Sequence, residues 1–277
     1  MNNIKLNQEA YIMMSEYEVR KQMCDIGQRV YSRGMVAAND GNFSVRIGPN
    51  EILCTPTGVS KGFMTPNMIC KVDMSGNVIS TDGKHTPSSE VKMHIRIYEE
   101  RPDVNAVVHA HPMYGTAHAI AGIPLTKQIM PESTLFLGEV PIAKYGLPST
   151  AEISESLEPF LQTHDTVLLE NHGALAWGTD LMGAYFKLES LEFYAQLSFT
   201  AQMLGGAREL PTNEVQRLVD LRREMNLPGR HPCLESDTAC GLKPAPKTAE
   251  PKSATGEKSM EALIAEITKK VMEKINQ

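Results

Sequence analysis

The sequence predicts an α/β (α+β) protein: a layered α/β/α domain over residues 1–227, then a linker and a short C-terminal helix. Three observations carry this. Strand-like and helix-like stretches are mixed without a regular βαβ alternation. Of two strongly apolar strands, the one at 106–111 is followed by a helix and the one at 166–170 by a returning strand. The composition changes sharply after Pro228.

The elements follow in order. Residues 9–33 set Val19, Met23, Ile26 and Val30 at helical spacing and stop near Gly34. Short apolar runs at 43–47, 52–55, 69–73 and 78–80 read as strands, with Ser75-Gly76-Asn77 as a hairpin turn between the last two. A helix is expected from Ser88 or Ser89, because Val91, Ile95 and Tyr98 then share one face, and Pro102 ends it. Strand 106–111 leads into a helix reaching Ala121. Strand 166–170 runs through Asn171-His172-Gly173 into a returning strand past Trp177, and amphipathic helices cover 181–204 and 214–225.

Residues 228–258 contain Pro228, Pro232, Pro244, Pro246 and Pro251 and few large apolar side chains. So little buried surface does not offset the entropy of ordering, and a flexible linker is expected. From Ser259, the residues Met260, Leu263, Ile264, Ile267, Val271 and Ile275 make one apolar stripe opposite Glu and Lys, an amphipathic helix over 259–277. A helix this short is marginal alone and is expected to dock into a groove, either of a partner or of its own domain.

Composition narrows the function. At 277 residues, 42% hydrophobic and 22% charged, the chain buries a full core. A net charge of −6 with no basic segment argues against nucleic acid as a partner. There is no apolar run of about 18 residues to span a membrane, and the polar start, 1–8, lacks a signal-peptide core, so a cytoplasmic location is expected. Cys24, Cys54, Cys70, Cys233 and Cys240 show no CxxC spacing and are expected to be reduced.

The candidate chemistry begins at His109 and His111. Two residues apart in a strand, both imidazoles face one side, with Cα atoms roughly 6–7 Å apart. Their nitrogens can then converge on one ion at about 2.0–2.1 Å. His172 ends the other strong strand, and three histidines with an open position form the pattern of a catalytic Zn2+ site. A lone core histidine is more often a satisfied polar group, and spacing alone does not bring His172 to the pair. His85, His94, His118, His164 and His231 have no comparable context.

Ser88-Ser89-Glu90 opens a helix, where unpaired backbone N–H groups suit a phosphate; equally, one serine is an ordinary N-cap. Glu90 reads as a general base beside the metal, acting on a C–H bond next to a carbonyl. Asp40-Gly41-Asn42 and Thr55-Pro56-Thr57-Gly58 are glycine turns that either cradle an anion or merely reverse the chain. The glycine motifs of nucleotide-binding loops are missing.

Taken together and in this order, Gly41-Asn42-Phe43-Ser44, Thr55-Pro56-Thr57-Gly58, Ser88-Ser89-Glu90, His109-Ala110-His111 and Asn171-His172-Gly173 resemble the class II aldolase/adducin family. The similarity is greatest to its L-fuculose-phosphate aldolases and spans residues 15–225. The resemblance implies a class II aldolase-like α/β/α fold and a homotetramer. It implies Zn2+ held by His109, His111 and His172, with Glu90 as a further ligand when substrate is absent and as the acid/base during turnover. Asn42, Thr57, Gly58, Ser88 and Ser89 would hold a substrate phosphate, and Gly41 would shape the turn. The implied reaction is cleavage of L-fuculose 1-phosphate, or a related deoxyketose 1-phosphate, to dihydroxyacetone phosphate and lactaldehyde.

One departure stands out. These aldolases use a tyrosine, in a Tyr-Ala-Thr-Phe-Gly-Thr stretch, to protonate the aldehyde-side oxygen, whereas here Ile142-Ala143-Lys144-Tyr145-Gly146 occupies that place. Tyr145 is the nearest phenol and reads equally as a strand-edge core residue. Sibling activities are an L-ribulose-5-phosphate 4-epimerase and, more distantly, a methylthioribulose-phosphate dehydratase. A non-enzymatic adducin-like module would have a broken metal site, which the three histidines and Glu90 argue against. The 259–277 segment resembles the encapsulation peptides of bacterial microcompartment cargo, implying a shell protein as its partner. It lacks the Trp or Phe anchors of a membrane-surface helix.

Overall fold

The computed structural model describes residues 14–236 and 239–242. The chain divides after residue 245 into two units, and every candidate site residue lies in the first. In chain order the elements begin with α1 (Glu16–Ser32), β1 (Asn42–Gly48), β2 (Glu51–Cys54), β3 (Cys70–Val72), β4 (Val78–Ser80) and α2 (Val91–Glu100). β5 (Ala106–Ala110), α3 (Met113–Ala121), α4 (Pro131–Phe136), β6 (Ile142–Ala143) and α5 (Ala151–Glu155) follow. The rest are β7 (Thr166–Leu169), β8 (Gly173–Gly178), α6 (Leu181–Met203), α7 (Thr212–Glu224) and α8 (Pro232–Glu235).

α1 starts on a reciprocal cap. Ser15 Oγ accepts from the Glu18 backbone, and the Glu18 carboxylate accepts from the Ser15 N–H at 2.7 Å. Val19, Met23, Ile26 and Val30 are buried, as the helical period requires.

The strands form one sheet in the order β4-β3-β2-β1-β5-β8-β7-β6. All neighbouring pairs are antiparallel except β6 and β7. Alternation along β5 sorts its residues to two faces. Ala106, Val108 and Ala110 join the core under α1, α3 and α6. Val107 joins the opposite core with Val91, Met93 and Ile97 of α2 and with Ile153 and Trp177. Helices thus cover both faces, the layered arrangement the sequence predicts.

His109 shares the parity of Val107 and so belongs to the face covered by α2, whose first residue follows Glu90, while His111 comes just after the strand end. Asn42 lies opposite His109 in the β1–β5 register and shares that face. This register places the chemistry at one end of the central strands.

The short pieces α4, α5 and β6, and the 3-10 turns Lys61–Phe63 and Pro66–Met68, escape sequence reading because none spans a full hydrophobic period. α2 begins at Val91 and not at Ser88 or Ser89. The preceding residues are taken by long-range pairing: Ser88 N–H donates to Thr55 O at 3.1 Å, and Thr57 N–H to Thr86 O at 2.9 Å.

Two expectations about the C-terminal part are corrected. The linker does not begin at residue 228, because Val215, Val219, Cys233, Ala239, Cys240 and Leu242 form a small third core. His231 is buried with its Nε2 2.8 Å from Thr134 O. Buried Arg222 donates to the carbonyls of Leu135, Pro228 and Gly229, and its burial pulls its pKa down to about 10. Arg230 N–H reaches the buried Asp165, which also pairs with Arg101 and Lys187. Polar anchors of this kind count against order in a compositional reading, yet here they hold the segment down.

Nor are all five cysteines reduced. Cys233 and Cys240 form a disulfide with Cα atoms 5.4 Å apart, closed by the turn Ala239–Gly241, where Cys240 takes φ 59°. Cys24, Cys54 and Cys70 are free, and burial raises all three thiol pKa values. The remainder of the expected linker, 243–258, and the helix at 259–277 lie outside the described residues.

A truncation test follows. A chain ending at residue 245 is expected to melt within about a degree of the full protein. A chain ending at 227 strips Arg222 of two acceptors and exposes the third core. Leaving a buried charged group unpartnered costs roughly 1–3 kcal/mol or more, and each kcal/mol is roughly 2–4 °C at this size. Thermal unfolding of the two truncations reads the difference; equal melting would mean that 228–245 contributes nothing.

Candidate metal centre

The centre is assembled by three strand ends. β5 ends at Ala110, and His111 turns out of the sheet with its N–H on Met35 O at 3.0 Å. His172 sits in the tight connection between β7 and β8, its N–H on Leu169 O, after Asn171 in the left-handed region at φ 54°. Asparagine tolerates that conformation better than most residues. Gly173 is required for packing: a Cβ there would stand 2.6 Å from Ala110 O and 2.7 Å from His111 Cδ2. Only glycine lets the third histidine close on the other two.

The three rings have centroids 4.7 to 5.1 Å apart, and each offers one nitrogen within 4.8 Å of the others. The tautomers follow from the outer nitrogens. His109 Nδ1 lies 3.0 Å from Ala174 O, and His111 Nδ1 lies 3.3 Å from Asp40 Oδ2. Both outer nitrogens face acceptors and so carry the proton, leaving two Nε2 lone pairs facing each other at 3.2 Å. Lone pairs at that distance repel unless a cation lies between them. Burial first, then the neighbouring His172 and His111, push the His109 pKa well below its ordinary value. Burial likewise lowers His172. Neutral, inward-pointing imidazoles are the form that ligates a metal, and this donor set fits one.

Glu90 stands between two of the rings. Its Oε1 is 3.4 Å from His172 Nε2 and its Oε2 is 3.6 Å from His109 Nε2. Asn42 Nδ2 donates to Glu90 Oε2 at 2.5 Å. Asn42, expected at the phosphate, thus directs its amide to the carboxylate. The result is a carboxylate held at the edge of a three-imidazole cluster, able to ligate or to accept a proton.

The anion loops meet beside it. A bridge between Pro56 and Pro87 brings the Thr57-Gly58 turn against Ser88-Ser89. Gly58 is exposed at φ 70°, with nothing within 4 Å of where a Cβ would stand, and Thr57 is exposed beside it. Gly41 at φ 74° has a different reason for being glycine: a Cβ would meet Val36 at 2.8 Å and His109 O at 2.9 Å. Neither serine is the helix cap. Glu90 N–H reaches Ser88 Oγ at 3.4 Å, and Ser89 Oγ pairs with Ser149 Oγ at 2.7 Å.

Tyr145 is no core residue: it is 54% exposed, and its backbone N–H donates to Glu170. Among the described residues no hydrogen bond or ring contact joins its phenol to the histidines.

Sequence reading missed three participants in this neighbourhood. In sequence Asp40 reads only as part of a turn, and its separation of 71 residues from His111 leaves no local signal of the pairing. Lys61, 1% exposed, donates to Asn39 O and Val59 O, and burial lowers its pKa to about 8. Ser44 Oγ lies 2.7 Å from both His94 Nδ1 and Tyr98 OH, tying α2 to β1 two residues beyond Asn42. Burial pushes His94 down to about 3, so it stays neutral there.

Known proteins share this architecture. An L-fuculose phosphate aldolase of Methanococcus maripaludis is 38% identical over 170 residues, 61% of this chain and 90% of its own. A 3-oxo-tetronate 4-phosphate decarboxylase of Haemophilus influenzae is 33% identical over 193 residues, 68% of this chain and 90% of its own. The crystal structure of YgbL from Klebsiella pneumoniae superposes with a TM-score of 0.68 at 32% identity, covering 74% of this chain and 99% of that one. Residues 21–199 match the Class II Aldolase and Adducin N-terminal domain, and the chain belongs to that family.

Proposed function

We propose that this protein performs a zinc-dependent retro-aldol cleavage of L-fuculose 1-phosphate, or of a related deoxyketose 1-phosphate, to dihydroxyacetone phosphate and lactaldehyde. The observation that supports it best is Glu90, set 3.4 to 3.6 Å from two imidazole nitrogens of the histidine cluster. His109, His111 and His172 would hold the ion, which when bound supplies Lewis acidity to stabilise charge developing on the substrate's carbonyl oxygen. Glu90 handles the proton on the carbon beside that carbonyl. It takes the proton from dihydroxyacetone phosphate in the condensation direction and returns it after cleavage. Asn42 holds the carboxylate in place, and the Thr57-Gly58 and Ser88-Ser89 loops face the phosphate.

A second reading has a specific observation behind it, the decarboxylase relative, together with Ile142 where the aldolases carry tyrosine. A four-carbon 3-oxo acid 4-phosphate that loses carbon dioxide also leaves dihydroxyacetone phosphate, so the co-product decides. Purified protein with zinc should release an aldehyde from L-fuculose 1-phosphate in step with dihydroxyacetone phosphate. Carbon dioxide from the oxo acid, with no aldehyde from any deoxyketose 1-phosphate, would replace the aldolase reading by the decarboxylase one.

Met113 and Ile120 of α3, Phe193, Phe199 and Met203 of α6, and Ile123 and Leu204 just beyond the two helices are exposed, which supports self-association and is in keeping with a homotetramer. The stripe from Met260 to Ile275 supports docking of 259–277 on a microcompartment shell protein. Fused to an unrelated soluble protein, residues 246–277 are expected to carry it to such shells, and Leu263→Glu with Ile267→Glu to abolish this. A diffuse fusion in shell-bearing cells would refute the targeting.

A further inference from the structure

The three rings are held from behind in three different ways. His109 is wholly buried and leans on a carbonyl, Ala174 O, at 3.0 Å. His172 Nδ1 is buried without a hydrogen-bond partner among the described residues. His111 is the most exposed ring, its side chain 26% accessible, and its outer nitrogen, Nδ1, faces a carboxylate, Asp40 Oδ2 at 3.3 Å. Packing fixes the first two rings, whereas His111 has less packing to fix it.

Asp40 itself is firmly placed. Its N–H donates to Ala37 O at 2.9 Å, and Gly41 follows in a left-handed turn with no room for a Cβ. One residue before, Asn39 O accepts from the buried ammonium of Lys61 at 2.8 Å, and the same ammonium donates to Val59 O at 2.7 Å. A lysine sealed to 1% exposure under a surface turn is costly unless fully bonded, and its bonds here hold that turn.

We infer that Asp40 is a positioning residue for the metal centre: its carboxylate accepts from His111 Nδ1–H and fixes that ring with Nε2 directed inward. A carboxylate behind a ligating histidine sets the tautomer, restrains the ring and strengthens the nitrogen as a donor, and losing such a partner typically weakens metal binding about 10- to 100-fold. The competing view is an idle surface acid, since the Asp40 side chain is 42% accessible and exposed ion pairs are weak. The difference lies in the partner: a surface pair neutralises a charge, whereas this one orients a ligand.

The inference rests on the three-histidine metal reading, and the experiment separates the two. Metal-free wild-type protein, Asp40→Asn and Asp40→Ala are titrated with zinc alone against a chromophoric chelator, and their metal-free melting temperatures are recorded. Asp40→Ala is expected to bind zinc at least about 10-fold more weakly, Asp40→Asn less so. Asp40→Glu should recover part of the loss, and metal-free melting should stay within about a degree, as for a half-exposed side chain. Zinc affinity in Asp40→Ala equal to wild type would overturn the role of Asp40 while leaving the centre standing. Wild-type protein that takes up no zinc would overturn the centre and the role together.

Discussion

Replacing His109 by alanine is expected to remove the bound metal and to lower turnover by at least about 10²–10³-fold, the range for losing a group that stabilises developing charge. The ring is fully buried, and its Nε2 lies 3.2 Å from His111 Nε2 and 3.6 Å from Glu90. Without it two imidazoles remain beside Glu90, and a carboxylate drawn in to complete the ligand set is no longer free to act as the base. The same change empties a core position and removes the bond to Ala174 O, so stability falls as well. His172→Ala separates the effects: its side chain is 14% exposed and its Nδ1 has no partner to lose, so metal should go while melting changes less. Elemental analysis beside thermal unfolding reads both variants. Full metal occupancy in either would remove that histidine from the ligand set.

How legible this centre was depends on the range of the forces that build it. The pairing of His109 with His111 is local, since strand alternation alone sets their common face, and the sequence carries that period. Their meeting with His172 is not local. It needs β5 and β8 side by side, with His109 opposite Leu175, and a glycine at 173 whose reason is steric only once the sheet exists.

Other signals point the wrong way until the chain is folded. A lysine is ordinarily solvated, yet two backbone carbonyls hold Lys61 buried. Asp40 faces His111 because of a turn held from below by that lysine. Ser88 and Ser89 carry the letters of a helix cap, but pairing of Thr55 to Ser88 moves the start to Val91. Residues 228–236 and 239–242 have a disordered composition, and Arg222, His231 and Asp165 anchor this part of the chain through contacts that no hydropathy count contains. The α/β/α layering was legible because it rests on period alone.

Glu90→Gln is expected to keep the metal and the substrate but to lose proton exchange at the carbon beside the carbonyl of dihydroxyacetone phosphate by at least about 10²-fold. The amide has the shape of the carboxylate, so it can still accept from Asn42 Nδ2 in place of Glu90 Oε2. Its –NH2 then faces the ring that Glu90 Oε1 faces now, His172 Nε2 at 3.4 Å. The fold and the three imidazoles should therefore persist, and what disappears is basicity. Solvent deuterium entering dihydroxyacetone phosphate, followed by NMR on zinc-loaded protein, reads the step directly. Exchange at the wild-type rate would end the assignment of Glu90 as base. Retro-aldol cleavage needs a proton returned to carbon before product leaves and needs it removed in reverse, so both directions should slow together. Loss of carbon dioxide from a 3-oxo acid breaks its bond without a base, and Glu90 would serve only to protonate the carbon afterwards. A variant that still releases carbon dioxide quickly, while exchange and aldehyde release both collapse, would locate Glu90 at the proton transfer and leave bond breaking to the metal-stabilised charge.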